Sequence, residues 1–127
     1  MRNAFKIYSI IMFLFLCFTN VKAQVKYYEI TGITEPVAAN GIYAFIGNTG
    51  YEGRPTYKHQ SAEYYIIAYL DAGSNWWIID IDQYDTPYND LFYINNASMT
   101  PPLSGYSVTY PYSLTYAEGD PILTIII

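Results

Sequence analysis

Apolar and polar residues alternate in short runs along most of the chain. Period-two alternation bounded by Gly, Pro, Asn and Asp marks half-buried strands. Such runs are predicted at Val25–Thr31, Gly41–Ile46, Thr56–His59, Glu63–Leu70, Trp76–Asp82, Leu91–Ile94, Tyr106–Tyr110 and Ile122–Ile127. Turn-rich pieces separate them, and no window beyond residue 24 shows an apolar repeat of helical period. The expected fold is all-β: one small antiparallel barrel or sandwich of six to eight short strands.

The clearest unit is a hairpin, EYYIIAYL-DAGSN-WWIIDID, carrying both tryptophans of the chain. Successive strand side chains point to opposite faces, so the two rings must part company. Pairing Leu70 with Trp76 groups Tyr65, Ile67 and Tyr69 with Trp77, Ile79 and Ile81 on an apolar face. That register puts Trp77 in the core. Trp76 then shares the other face with Tyr64, Asp80 and Asp82 and is expected to be partly exposed. A slip of one residue would exchange the faces.

The first segment follows a different pattern. Arg2 and Lys6 precede an apolar run from Ile7 to Phe18, and Val21-Lys22-Ala23 supplies a small-x-small cleavage site. Residues 1–23 therefore read as a secretory signal peptide, with one β domain at 24–127. The run is too short for a helix of about 20 residues that spans a bilayer. The domain is accordingly expected not to span the membrane, and its destination is the periplasm, the cell surface or the exterior.

Removal of the leader changes the charge and the chemistry. Three basic residues, Lys26, Arg54 and Lys58, remain against 11 acids, a net charge of −8. Nucleic acid is not an expected partner, because phosphate binding needs clustered Lys and Arg. Cys17 leaves with the leader. The domain must hold without disulfides, and thiol catalysis and cysteine-built zinc sites fall away. Fifteen tyrosines remain, with two Trp and two Phe. Tyr favours strands and can bury its ring while its hydroxyl stays wet, so half-exposed faces covered by Tyr are expected.

Several stretches fit an ordered pattern: NG-x-Y at Asn40–Tyr43, G-x-PTYKH at Gly53–His59, YYI at Tyr64–Ile66 and WWI at Trp76–Ile78. FYI at Phe92–Ile94, PPLSGY at Pro101–Tyr106 and GDP-x-LTI at Gly119–Ile125 complete it. The series resembles a poorly characterised extracellular β module, found singly or repeated in secreted bacterial and multidomain proteins. Its usual pattern runs NG-x-Y, YNG-x-P-x-YK, YYI, WWI and PP-x-SGW. The likeness covers Asn40 to Ile125. Glu52 departs from it at the Asn of YNG, and Tyr106 stands where Trp is usual. The resemblance implies a fold-defining consensus and brings no catalytic residues with it.

Little in the sequence speaks for catalysis. His59 is the one histidine, and no serine lies in a G-x-S-x-G elbow. Asp80, Asp82, Asp85 and Asp90 could gather oxygens for calcium, but the EF-hand spacing is missing. No metal or cofactor is expected. Two readings remain: a glycan-binding module with Trp76, Tyr64, Asp80 and Asp82 as its site, or a structural or protein-contact domain in which the same residues cover the core or meet a partner.

Overall fold

The computed structural model describes residues 24–70, 75–81, 90–109 and 116–127. The leader lies outside them. Among the described residues the chain forms eight strands: β1 (Tyr27–Glu35), β2 (Gly41–Gly47), β3 (Thr56–His59), β4 (Tyr65–Leu70), β5 (Asn75–Asp80), β6 (Asp90–Asn95), β7 (Ser107–Val108) and β8 (Glu118–Ile126). Two short 3-10 turns, Val37–Ala39 and Tyr51–Gly53, lie between described strands. The strands make one antiparallel sheet in the order β7-β6-β5-β4-β3-β2-β1-β8. The sheet curls into a nearly closed barrel. Leu123 N–H of β8 donates to Leu103 O in the segment leading into β7, 2.8 Å, and bridges the seam.

The interior is aromatic. Tyr28, Tyr43, Tyr57, Tyr65, Tyr69, Tyr106, Trp76 and Phe92 are buried there with Ile30, Ile67, Ile78, Leu91 and Leu123. These tyrosines are interior residues rather than covers for half-exposed faces. Their hydroxyls explain how so polar a core closes. Tyr43 Oη–H donates to Ala39 O at 2.6 Å, Tyr106 Oη–H to Pro102 O at 2.8 Å and Tyr57 Oη–H to Val25 O at 3.0 Å. Each ring fills the barrel while its hydroxyl secures a nearby connecting segment, meeting the need of a buried polar group for a partner. Burial pushes the phenols upward: Tyr28 and Tyr65 to about 12, Tyr43 and Tyr106 further still.

β1 and β8 are longer than the alternation suggests. Both run through glycines that read as turns. A Cβ on Gly32 would lie 2.2 Å from Asp120 O, and one on Gly119 would lie 2.4 Å from Gly32 O. The two backbones touch where a side chain would hold them apart, and the register shifts there. Of the predicted strand Tyr106–Tyr110, Ser107–Val108 form the two-residue β7, Tyr106 turns inward and Thr109 bonds back to the Asp90 and Leu91 carbonyls, while Tyr110 lies outside the described residues.

The register of the β4–β5 hairpin corrects the expected one. Leu70 pairs with Asn75, Tyr69 with Trp76 and Ala68 with Trp77. Four residues, not five, separate the first pair, so every β5 side chain changes face. Trp76, Ile78 and Asp80 point inward. Trp77 and Ile79 point outward.

Candidate functional site

Trp76, the centre of the expected site, has 0 % of its surface exposed. Its ring lies 5.4 Å from that of Tyr69, and its Nε1–H donates to Ser98 O at 3.0 Å. It is a core residue, and the expectation that it is partly exposed is overturned. Asp80 is buried as well, opposite Tyr65. Tyr64 is half-buried, its ring 4.5 Å from the Tyr65 ring. Asp82 lies outside the described residues. Tyr64 and Asp80 lie at one end of the hairpin, where Ile81 N–H donates to Tyr64 O, while Trp76 is bonded at the other end to the Ser98 loop. Trp76, Tyr64 and Asp80 do not form one surface.

The candidate site is the outer face of β4–β6, where the other tryptophan sits. Three rows of cross-strand neighbours build it. The first is Leu70, Asn75 and Asn95. The second is Ala68, Trp77, Tyr93 and Ser107. The third is Lys58, Ile66, Ile79 and Asp90. Trp77 and Tyr93 lie side by side, ring centroids 5.6 Å apart and planes inclined by 34°. Trp77 is half-buried and lies directly opposite Ala68, which is buried.

Two polar atoms on this face lack partners. Trp77 Nε1 and Asn75 Oδ1 are closed off from water and make no hydrogen bond. A buried unpaired donor or acceptor costs about 1–3 kcal/mol. Both side chains stand on the same face of β5, two residues apart. Sequence reasoning missed them because it placed Trp77 in the core. Asp90, at the edge of the third row, has its carboxyl pushed upward by burial.

Arg54 and His59 are committed elsewhere. Arg54 is buried and donates from Nε to Ser98 O at 3.0 Å, from Nη2 to Ala97 O at 2.7 Å and from Nη1 to Glu52 Oε2 at 3.1 Å. Its guanidinium stands 4.0 Å from the centre of the Tyr69 ring. His59 Nδ1 accepts from the Ser61 and Ala62 N–H groups at 3.0 and 2.9 Å. The proton is thereby assigned to Nε2, which donates to Asn40 O at 2.7 Å. Both ring nitrogens are taken. No group of three or more His, Cys, Asp and Glu gathers among the described residues. Of the acids considered for calcium, Asp80 faces the interior and Asp90 the exterior, while Asp82 and Asp85 lie outside the described residues. No helix among the described residues is long and apolar enough to cross a membrane.

The patterned residues have structural work. Asn40 Oδ1 accepts from Ile33 N–H at 3.0 Å, and its Nδ2 donates to Ile33 O at 2.7 Å, so the side chain pairs with β1 like a short strand. A Cβ on Gly41 would lie 2.6 Å from His59 Nε2, so the imidazole rests directly on the glycine. Glu52 has φ of 56°, a left-handed conformation that suits Asn better than Glu. Comparisons with protein-family models, with curated proteins and with solved structures find no match for the chain.

Proposed function

We propose that the protein is an exported, non-catalytic module that binds glycan through the outer face of β4–β6. One observation carries the reading. Trp77 and Tyr93 form an aromatic strip beside an unmet donor and an unmet acceptor. Aromatic anchors supply contact area, and nearby polar groups supply orientation. The leader-like residues 1–23 and the absence of cysteine beyond Cys17 support export without disulfides. The engaged nitrogens of His59 support a non-catalytic role, since a general base needs a nitrogen free to take a proton. Asn40, Gly41, Tyr43 and Tyr106 all hold the fold together, which supports the resemblance to an extracellular β module whose pattern is structural.

The test is a glycan array probed with the purified protein and with Trp77→Ala. Binding that Trp77→Ala abolishes, with the circular dichroism spectrum unchanged, is the expected result. A structural or protein-contact domain would show no glycan binding that depends on Trp77.

A further inference from the structure

We propose that Gln24 is a modification site: once residues 1–23 are removed, its freed α-amine closes on its own side-chain amide, and the chain begins with pyroglutamate. The proposal rests on the export reading and goes beyond it. Cleavage after Val21-Lys22-Ala23 leaves a glutamine at the new end. Glutamine carries an amide carbon within reach of its own α-nitrogen. The α-nitrogen attacks Cδ and the N–Cδ bond forms. The Cδ–Nε2 bond then breaks, and Nε2 departs as ammonia with the proton that the α-nitrogen gives up. No oxidant or co-reactant is needed. α-Amines lose their proton at about pH 8, so the nucleophile is present at neutral pH.

The surroundings of Gln24 leave this reaction open and suit its product. The residue is exposed. Its amide is held by Nε2–H donating to Tyr57 Oη at 2.9 Å, besides a long contact of 3.5 Å to Val25 O. Tyr57 Oη–H separately donates to Val25 O at 3.0 Å, so the tie between this end and the core does not depend on the open amide. The lactam also keeps an N–H donor and a carbonyl acceptor. Gln24 stands between two hollows. One, of about 360 Å³, is lined also by Val25, Lys26, Tyr27, Ile125, Ile126 and Ile127. The other, of about 400 Å³, reaches Asn48, Pro55 and Met99. Neither lining holds an Asp or a Glu. An α-ammonium here would have Lys26 beside it and no carboxylate in either hollow. Like charge and apolar neighbours both disfavour it. Cyclisation abolishes that charge and leaves a neutral end against the isoleucines.

The full chain is expressed with its leader, the exported protein is purified, and its first peptide is weighed by mass spectrometry and read by Edman degradation. Expected are a peptide lighter than the Gln24 sequence by one ammonia and a block to Edman degradation. Pyroglutamyl aminopeptidase should lift the block and expose Val25. Gln24→Asn keeps an amide but is too short to close an unstrained lactam, so it should give an open, readable end. An open Gln24 in the exported parent would overturn the proposal and leave the export reading standing. A start at Met1 would remove both. A start at any other residue would remove the proposal together with the assigned cleavage site.

Discussion

Trp76 and Trp77 are neighbours in sequence and opposites in structure. Inside the barrel, Trp76 has its one polar atom bonded to Ser98 O, and the Tyr43, Tyr57 and Tyr106 hydroxyls are bonded to backbone carbonyls. Outside, Trp77 lies against Tyr93 with its Nε1–H unpaired, and Asn75 Oδ1 beside it on β5 is unpaired too. The same residue type is finished business on one face and open on the other. Satisfied polar groups mark where folding alone decides a residue. Trp77 Nε1 and Asn75 Oδ1, closed off yet unpaired, carry a cost that folding alone has not removed.

The largest expected effect separates the two rings by stability. Trp76→Ala removes a wholly buried indole and should cost about 3–5 kcal/mol. Trp77→Ala, on the outer face, should cost about 1 kcal/mol. Urea unfolding of the two variants checks this, and equal shifts in midpoint would dissolve the distinction between the faces.

A smaller contrast uses single oxygens. Tyr43→Phe leaves the Ala39 carbonyl without its 2.6 Å partner and should cost about 1–2 kcal/mol. Tyr93→Phe on the outer strip should stay within about 0.5 kcal/mol. The interior phenols also give the fold an alkaline limit. Tyr28 and Tyr65 ionise near 12 in the folded state, against an ordinary value of 10. A group whose folded value is raised adds stability that is fully present below its unfolded value and lost as pH climbs towards the folded one. The melting temperature should therefore hold steady up to about pH 9 and fall between 10 and 12. A flat profile through that window would mean that the tyrosines are not desolvated.

Much of this architecture was legible in the sequence, and the reason is periodicity. Alternation located the strands and the all-β class because one face of each strand meets the core. It could not choose between Leu70–Trp76 and Leu70–Asn75 as the first pair of the hairpin, because both faces of β4 are largely apolar. The misleading residue was Asp80. A carboxylate reads as an outward position, yet here it lies inside the barrel opposite Tyr65. Trusting Asp80 as a solvent marker turned Trp76 outward and Trp77 inward. Asn75 was the better guide, since a polar residue at the head of β5 shares its face with Trp77. The glycine contacts at Gly32 and Gly119 were also hidden, because a glycine read alone signals a turn as readily as a close approach of two backbones.

The smallest expected effect sharpens the outer face from its charged edge. Asp90 lies opposite Ile79, beside the row that holds Trp77, and burial raises the ionisation of its carboxyl in the folded state. For an acid, a raised folded value means that the protonated form suits the fold better than the ionised one. Its contribution is therefore present below the ordinary carboxylate value and is lost as pH rises through the folded value. At neutral pH the ionised group sits in a partly desolvated place with a net cost. Asp90→Asn keeps the shape and removes the charge, so it should raise the urea midpoint slightly at pH 7 and leave it unchanged under acid conditions, where the native carboxyl is already neutral. The difference between variant and parent should open as pH rises through the carboxylate range and then stay constant. A variant less stable than the parent at pH 7 would show that the Asp90 carboxylate is held by favourable contacts, and the outer face would then be less dry around Ile79 than its burial indicates.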